Sequence, residues 1–277
     1  FAGSAGSVAS SQQYAMPRDM TAAEQRVSAD DLTVVVCAEG SPPALHDTVA
    51  SLIRRSPRPK IVVVNSGGGD VAATLGDLAA FAAIHNSPRP LWRGAARNRG
   101  LEMTTSRWVG FLDAGWAAEP GWVAERLAHH RAGDRIVAGS TAIRGTTIIA
   151  HAMRLARDGL AGPAASPTTL SDCNGVSFPR ETLLRAGSFR EDVPYGEARD
   201  VLRLLEELWG FKRDSDIRTT AAAAASLGSA LRGHYDEGMR TAYFVPGRRG
   251  RLLSRIAARL TGLVAGLRRG EGSVARR

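Results

Sequence analysis

The stretch GAARNRGLEMTTSRWVGFLDAGW, residues 94–116, contains the pattern that decides the fold. Ala95 to Met103 is predicted to form a helix, and Trp108 to Leu112 is a short apolar run that is typical of a buried strand. The strand is followed at once by Asp113. This order is typical of α/β proteins, in which ligands bind at the carboxyl ends of the strands.

The same alternation of strand and helix continues on both sides of this stretch. Apolar, β-branched runs indicate strands that are buried on both faces, and segments with helical spacing separate them. Strands are predicted at Leu32–Cys37, Ile61–Val64, Trp108–Leu112 and Ile136–Ala138, and helices at Ala44–Arg55, Val71–Phe81, Ala95–Met103 and Trp122–His130. These units predict a doubly wound, mostly parallel α/β sheet flanked by helices.

The second half of the chain is less regular. Cys173 to Arg190 is predicted to form a strand, a turn and a short helix, and Val201 to Leu208 a helix. The alanine run Ala221–Ala225 suits either a helix or a late strand. His129 and His130, at the end of a predicted helix, are interpreted as a solvated pair rather than as a metal site.

The composition divides the chain into three parts. Residues 1–30 are rich in Gly, Ala, Ser and Gln, and are interpreted as a disordered leader or an added expression remnant. Residues 31–230 carry the alternating pattern and are predicted to form the main domain. Residues 231–277 are predicted to form a helical, basic tail.

Composition also excludes several classes of protein. At 277 residues and 44% hydrophobic residues, the chain is long and apolar enough to form a core, so disorder of the whole chain is not expected. No run of 18 apolar residues, which a membrane-spanning helix would need, is present in the sequence. Two cysteines are too few for a disulfide scaffold or a cysteine-built metal site. We therefore expect a cytoplasmic protein.

The net charge of +9 lies almost entirely in the tail. Residues 247–277 contain nine arginines and one acid, a charge of +8, which leaves +1 for the rest of the chain. Apolar residues at helical spacing over 251–267 predict a basic amphipathic helix. It could bind an anionic membrane surface, at the inner face of the membrane beside a lipid-linked acceptor, or it could pack on its own domain or on a second copy. Nucleic-acid binding is not expected, because no aromatic platform accompanies the arginines.

Three loops follow three of the predicted strands, at residues 37–40, 65–70 and 113–115. In a parallel sheet these loops meet at one edge, where the triplet Gly67–Gly69 could bring backbone N–H groups close to a phosphate. The alternative is an ordinary turn in which Asp70 caps the next helix. The sequence has neither a dinucleotide-binding fingerprint nor a phosphate loop of the G-x-x-x-x-G-K type.

The order of five blocks resembles glycosyltransferase family 2 of the GT-A fold. The blocks are VVVCAEGSPPAL, IVVVNSGGGD, GAARNRGLE, WVGFLDAGW and CNGVSFPRETLLRAGSFRE, and the resemblance covers roughly residues 32–210. The most specific is Arg97–Leu101 (RNRGL), placed just before the strand that ends at Asp113. The alternative for this block is that Arg97 and Asn98 only cap and brace their own helix.

The resemblance implies a site for a nucleotide-diphosphate sugar. Ala38 and Glu39 would flank the nucleobase, and Asn65 stands where the family usually has an Asp that contacts the base. Arg97 would lie near the diphosphate, and Asp113 is the first carboxylate of the family's D-x-D element.

The chain departs from the family at the metal site. The family binds Mg²⁺ or Mn²⁺ through acidic oxygens, because these hard cations prefer such ligands and bridge the diphosphate. Here Gly115 replaces the last Asp of the D-x-D element, so Asp113 would hold a cation only weakly. A basic side chain such as Arg97 could instead offset the charge of the leaving group.

The general base is also altered. The family has a Glu-Asp pair at the start of a helix, whose Asp deprotonates the acceptor hydroxyl. In one alignment Glu197 matches the Glu and Ala198 replaces the base; shifted by one residue, Glu197 itself is the base and Arg203 matches a helix arginine. Glu197 is therefore the first candidate and Asp200 the second, the alternative being that both acids only complement the helix dipole.

These observations lead to two hypotheses. The first is a glycosyltransferase that passes a sugar from a nucleotide-diphosphate sugar to an acceptor hydroxyl, with inversion. The second is a catalytically degenerate GT-A protein that serves as a binding or scaffold module, which the loss of acids at the metal and base positions would suit. His234, in a late H-x-x-x-G segment, resembles a segment that borders the acceptor side in the family.

Overall fold

The computed structural model describes residues 28–158, 172–194, 196–224 and 226–232, together with Tyr235 and Thr261. The predicted tail helix over 251–267, apart from Thr261, lies outside the described residues, as do His234 and the leader up to residue 27. Within the described part of the chain, no helix is long and apolar enough to cross a membrane.

The described residues form eight strands and seven α-helices. The strands are β1 (Leu32–Glu39), β2 (Lys60–Ser66), β3 (Ala83–Asn86), β4 (Trp108–Asp113), β5 (Trp116–Ala118), β6 (Val137–Arg144), β7 (Val176–Pro179) and β8 (Lys212–Ala222). The helices are α1 (Ala44–Ile53), α2 (Val71–Leu75), α3 (Arg93–Glu102), α4 (Trp122–Arg131), α5 (Ile148–Asp158), α6 (Arg180–Arg185) and α7 (Arg199–Trp209). Residues 227–232 are also helical.

The strands form one mixed sheet in the order β3-β2-β1-β4-β7-β6-β8-β5. Its first half is parallel, because β1 pairs in parallel with both β2 and β4, and β2 pairs in parallel with β3. In the second half β7 is antiparallel to β4 and β6, and β5 is antiparallel to β8, while β6 and β8 are parallel. The predicted α/β sheet with flanking helices is confirmed, although it is more mixed than the sequence suggested.

Strand β1 is central in the parallel half and is buried on both faces. Val34 and Val36 pack into the core on one face of the sheet, and Val35 packs into the core on the other face. In the sheet, Val35 lies between Val62 of β2 and Phe111 of β4. This two-sided burial explains why β1, β2 and β4 appear in the sequence as continuous apolar runs rather than as alternating patterns.

The structure differs from the prediction in several elements. The helix predicted over Val71–Phe81 is divided: α2 ends before Gly76 (φ 53°), and Gly76–Phe81 continues as a 3₁₀ helix. Strands β3 and β5 were not predicted, because each is short and half exposed. The alanine run Ala221–Ala225 enters the structure as the end of β8, which decides between helix and strand for its first two residues.

Helix α3 packs closely against the sheet at Gly100. A Cβ atom on Gly100 would lie 2.2 Å from Cγ1 of Val35 in β1, well inside van der Waals contact. Gly100 therefore lets α3 approach the central strand, and this approach fixes the position of Arg97, which lies one turn earlier on the same helix.

The interpretation of His129 and His130 as a solvated pair is wrong. The imidazole of His130 is fully buried and stacks on Trp108 at 3.8 Å between ring centroids. Its Nε2 lies 2.9 Å from Oγ of Ser177. His129 lies between two carboxylates, with Nδ1 2.8 Å from Asp134 and Nε2 2.9 Å from Asp214. The apolar and aromatic surroundings of His130 come from strands distant in sequence, so the helix alone could not predict them.

The two histidines titrate in opposite directions. Burial lowers the pKa of His130 to about 3. Burial also opposes the charged form of His129, but hydrogen bonds to Asp214 and Asp134 outweigh it and raise the pKa of His129 above its ordinary value.

We expect that Gly100→Ala lowers the free energy of unfolding by about 1–3 kcal/mol, because the added methyl group overpacks the contact with Val35. Urea denaturation followed by circular dichroism measures this loss. Gly228→Ala is the matched control: Gly228 is also helical, but the nearest atom to its added Cβ lies 3.8 Å away. This variant should be as stable as the original chain or more stable. Equal stability of the two variants would contradict the tight packing of α3.

We expect that His130 makes the protein less stable in mild acid. The unfolded chain takes up a proton near pH 6.5, whereas folded His130 stays neutral down to about pH 3, so stability falls as the pH drops below about 6.5. By about pH 5 this effect amounts to roughly 2 kcal/mol. His130→Phe keeps a ring against Trp108 and should remove this loss when unfolding is compared at the two pH values.

A variant at His129 tests the direction in which stability changes with pH. Because its folded pKa is raised, its stabilising contribution is complete below about pH 6.5 and is lost as the pH rises through the folded pKa. His129→Asn should therefore cost more stability in mild acid than in mild base, the reverse of His130→Phe. His46→Asn, at an exposed histidine, should leave the pH dependence unchanged. The same pH dependence in all three variants would refute the assignment.

Candidate active site

Arg97 gathers carboxylates from three distant segments of the chain. Its guanidinium Nη2 lies 3.3 Å from Oδ1 of Asp113 and 3.1 Å from Oδ1 of Asp172, and its Nη1 is in close contact with Oε1 of Glu197. The Arg97 side chain is fully buried. We call these four residues the Arg97 cluster.

Each member of the cluster is positioned by a different element. Asp113 is the last residue of β4, at the carboxyl end of a parallel strand. Its backbone N–H donates to Oδ1 of Asn174, in the segment that leads into β7, at 3.0 Å. Asp172 lies two residues before Asn174, and Glu197 lies just before α7. Helix α3 and strand β4 thus supply Arg97 and Asp113, and the connecting segments before β7 and α7 supply the other two carboxylates.

The members of the cluster differ in exposure. The side chain of Glu197 is 6% exposed, that of Asp113 18% and that of Asp172 42%. Burial disfavours a charged guanidinium, but the carboxylates of Asp172, Asp113 and Glu197 raise the pKa of Arg97 well above the ordinary value. Arg97 is therefore a permanent positive charge that holds three acidic side chains at the edge of the sheet.

The two cysteines beside the cluster are not suited to nucleophilic chemistry. Burial raises the pKa of the Cys37 thiol to about 12 and raises the pKa of the Cys173 thiol well above its ordinary value. The nucleophilic form of a cysteine is the thiolate. Both side chains therefore remain neutral at physiological pH and serve as small apolar groups.

A second, partly exposed arginine also contacts Asp113. Nη1 of Arg93, the first residue of α3, lies 3.5 Å from Oδ2 of Asp113. The Arg93 side chain is 37% exposed, unlike that of Arg97. The two oxygens of Asp113 thus face two different guanidinium groups.

Asn98 joins α3 to a loop near the cluster rather than capping its own helix. Its amide donates to the carbonyl of Phe189 at 2.9 Å and to the carboxylate of Glu191 at 2.7 Å. The backbone N–H of Phe189 donates back to the Asn98 carbonyl at 3.0 Å. The Phe189 ring packs edge-on against Phe111 of β4, with ring centroids 5.2 Å apart. Asn98 therefore braces the loop that precedes Glu197.

Asn65 shapes the glycine loop from inside. Its side chain is fully buried, accepts a hydrogen bond from the backbone N–H of Ser41 at 2.9 Å, and donates to the carbonyl of Gly68 at 2.6 Å and to Asn86 at 2.8 Å. The predicted contact of Asn65 with a nucleobase stays a prediction. Asp70 caps α2 by accepting from the N–H of Ala73 at 2.8 Å, which confirms the simpler interpretation of that residue.

The other residues predicted to bind the nucleotide sugar, Ala38 and Glu39, lie at the carboxyl end of β1. Ala38 is half-buried near the end of β1, and Glu39 ends the same strand with an exposed side chain. Ala38 pairs in the sheet with Asn65, and Glu39 with Ser66. Of the two candidate bases, the structure brings Glu197 into the cluster, whereas Asp200 is exposed on the first turn of α7.

Sequence reasoning missed Asp172 and Arg93. Asp172 stands immediately before the Cys173-Asn174-Gly175 block, and this position was its only signal in the sequence. Arg93 lies four residues before Arg97, so that the two arginines share one side of α3, a spacing that could have indicated a second cation at the site.

The described residues do not fit a divalent cation of the kind the family uses. No group of three or more His, Cys, Asp or Glu side chains within the described ranges is placed to hold a metal ion. Gly115 offers no ligand oxygen from a side chain, and both oxygens of Asp113 face arginines. Mg²⁺ and Mn²⁺ prefer negatively charged oxygen ligands. Arginines that already face these oxygens disfavour the binding of a cation to them.

Part of the chain that includes Arg97 and Asp113 matches a known protein family. The family model described as glycosyl transferase family 2 matches residues 33–157. No curated protein is significantly similar to the chain in sequence.

Solved structures share the fold at low sequence identity. S. aureus TarS has a TM-score of 0.54 at 12% identity, with 83% of this chain and 42% of that chain covered, so the chain spans less than half of TarS. The mannosyltransferase PcManGT from Pyrobaculum calidifontis, in complex with GDP-Man and Mn²⁺, has a TM-score of 0.57 at 14% identity, with 91% and 78% covered.

TarS 1–349 in complex with UDP-GlcNAc has a TM-score of 0.51 at 13% identity, with 83% of this chain and 72% of that chain covered. At these identities the likeness shows the fold. The sequence match and the fold agree with the resemblance seen in the five blocks: residues 33–157 match the model of glycosyl transferase family 2, and the chain has a GT-A fold.

Proposed function

We propose that the protein transfers a sugar from a nucleotide-diphosphate sugar to an acceptor hydroxyl, with inversion at the sugar carbon. The observation that carries this proposal is the Arg97 cluster, which places three carboxylates near the carboxyl end of β4, in a chain whose residues 33–157 match the family 2 model. Solved relatives of the same fold are in complex with GDP-Man and with UDP-GlcNAc, which supports a donor of this class.

In the proposed reaction Glu197 is the general base. It removes the proton from the acceptor hydroxyl as that oxygen forms a bond to the anomeric carbon of the donor. The bond from that carbon to the diphosphate oxygen breaks at the same time, and its electron pair leaves with the nucleotide diphosphate. In this proposal Asp113 lies near the diphosphate of the donor, and Ala38, Glu39 and Asn65 lie around its nucleobase.

Arg97 acts as a positioning residue in this proposal. Its fully buried guanidinium contacts Glu197 and Asp113 together, so the distance between the proposed base and the donor end of the site depends on one side chain. Removing one partner of a buried ion pair is costly, because the charges that remain lose their compensation.

The proposal extends to the organisation of the chain. We assign residues 31–230 to the transferase domain and place the protein in the cytoplasm. The basic helix predicted over 251–267 would bring the domain to an anionic membrane surface or to a second copy, and the membrane alternative suits a lipid-linked acceptor.

The degenerate scaffold remains a second candidate because of one observation. Glu197 is almost completely buried and is paired with Arg97, an arrangement that a purely structural carboxylate would also show. A scaffold of this kind would bind a nucleotide sugar without releasing the nucleotide.

We expect that Glu197→Gln lowers sugar transfer by at least about 100-fold, because the amide cannot accept the proton. The measurement is release of UDP, GDP or dTDP from a panel of nucleotide sugars, with simple sugars and lipid phosphates as acceptors. Asp200→Asn is the matched control, one turn along and exposed, and should retain activity. Loss of activity in Asp200→Asn alone would assign the base to Asp200. Donor binding without nucleotide release by the unaltered chain would favour the scaffold.

We expect that Arg97→Ala lowers the free energy of unfolding by about 3–5 kcal/mol, because it leaves the buried carboxylate of Glu197 without its counter-charge. Chemical denaturation measures this loss. Arg99→Ala is the control on the same helix: Arg99 is 47% exposed and pairs with Glu102, so its removal should cost less than about 1 kcal/mol.

Arg97→Lys separates positioning from charge, because lysine keeps the charge but cannot hold three carboxylates in the fixed geometry of a guanidinium. We expect it to fold and to lower kcat more than it raises KM. Unchanged kcat in a folded Arg97→Lys protein would contradict the positioning role.

A further inference from the structure

At the metal site the chain departs from the family at Gly115 and retains Asp113, and the inference drawn from this difference rests on the proposed function. In a site built around a divalent cation, acidic oxygens are free to bind the metal. Here one oxygen of Asp113 lies 3.3 Å from Arg97 and the other 3.5 Å from Arg93. A cation that bound Asp113 would therefore have to displace Arg93 and remain beside the buried charge of Arg97.

The two arginines are not equivalent toward a ligand. Arg97 is fully buried and its Nη atoms face three carboxylates. The Arg93 side chain is 37% exposed and contacts Asp113 through Nη1. A guanidinium has five N–H donors in a planar fork, so Arg93 can hold Asp113 and still present donors to phosphate oxygens.

Gly115, two residues after Asp113, adds no charge to the site. Its backbone N–H donates to Oγ1 of Thr48 at 2.9 Å, and a Cβ atom on Gly115 would meet its nearest neighbour, Ala44, at 3.8 Å. The space for an acidic side chain is thus present, but the backbone has φ +92°, which disfavours any side chain. The backbone at position 115 thus has a conformation that favours glycine, and this residue supplies no carboxylate that would compete for Arg93.

We propose that Arg93 binds the diphosphate of the nucleotide donor in place of a divalent cation, so that donor binding is independent of metal. When the bond between the sugar carbon and the diphosphate oxygen breaks, the electron pair passes to that oxygen, and the Arg93 guanidinium stabilises the added negative charge. Asp113 holds Arg93 in position, and Arg97 holds Asp113.

The test measures binding of UDP, GDP and dTDP by isothermal titration calorimetry, in EDTA and in excess MnCl₂. We expect at least one nucleotide to bind with affinities that agree within about threefold in the two conditions. Arg93→Ala should weaken that affinity by about tenfold or more in EDTA, and Arg93→Lys, which keeps the charge without the fork, by less. Arg99→Ala, on the same helix, should bind like the unaltered chain.

A second measurement does not depend on nucleotide affinity. Free Mn²⁺ gives a strong electron paramagnetic resonance signal that falls when the ion is bound. We expect the unaltered chain to take up no Mn²⁺ beyond that bound by the nucleotide itself. Gly115→Asp restores a second carboxylate, and any fall in the signal should be confined to this variant.

The outcomes separate this inference from the proposed function. Nucleotide binding that requires MnCl₂, or Mn²⁺ uptake by the unaltered chain, would overturn the inference and leave the transferase intact. Binding that Arg93→Ala leaves unchanged, in a variant that unfolds like the original chain in urea, would overturn it as well. Failure of all three nucleotides to bind in either condition would overturn the proposed function and the inference together.

Discussion

The ion pairs of one buried arginine are the constraint on which the rest of the site depends. Arg97 has no contact with solvent, so the cost of burying its charge must be offset by Asp113, Asp172 and Glu197. These acids come from a strand end, from the segment before β7 and from the segment before α7. A chain that satisfies Arg97 must therefore assemble both halves of the sheet before the site exists.

The two halves make different contributions. The parallel half, with β1 buried on both faces, fixes α3 through the contact at Gly100 and thereby sets the position of Arg97 and Arg93. The family match ends at residue 157, so Asp172 and Glu197 lie beyond it, in the half where strands turn antiparallel. The parallel strands thus position Arg97 and Asp113, and segments with a weaker sequence pattern supply the other two carboxylates of the cluster.

This division explains what the sequence could and could not predict. Strands β1, β2 and β4 are continuous apolar runs and are predicted from the sequence. Most residues of β8 are polar or charged, and only its last two belong to the alanine run that suits either a helix or a strand. The five blocks contain the candidates Arg97 and Asp113, and the family's Glu-Asp pair beyond them indicated Glu197. Asp172 and Arg93 could not be found in this way, because their importance comes from contacts with residues far away in the chain. The burial of His130 was missed for the same reason.

The presence of glycine at position 115 affects what Arg93 can bind. An acid at position 115 would attract a metal ion or would pair with Arg93, and either event would withdraw the exposed guanidinium from an anionic ligand. With glycine there, the charge of Arg93 is shared only between Asp113 and whatever anion enters from solvent, as far as the described contacts extend. In the proposed site, glycine at position 115 and arginine at position 93 therefore act together, because a fixed guanidinium would take the electrostatic role of a divalent metal ion.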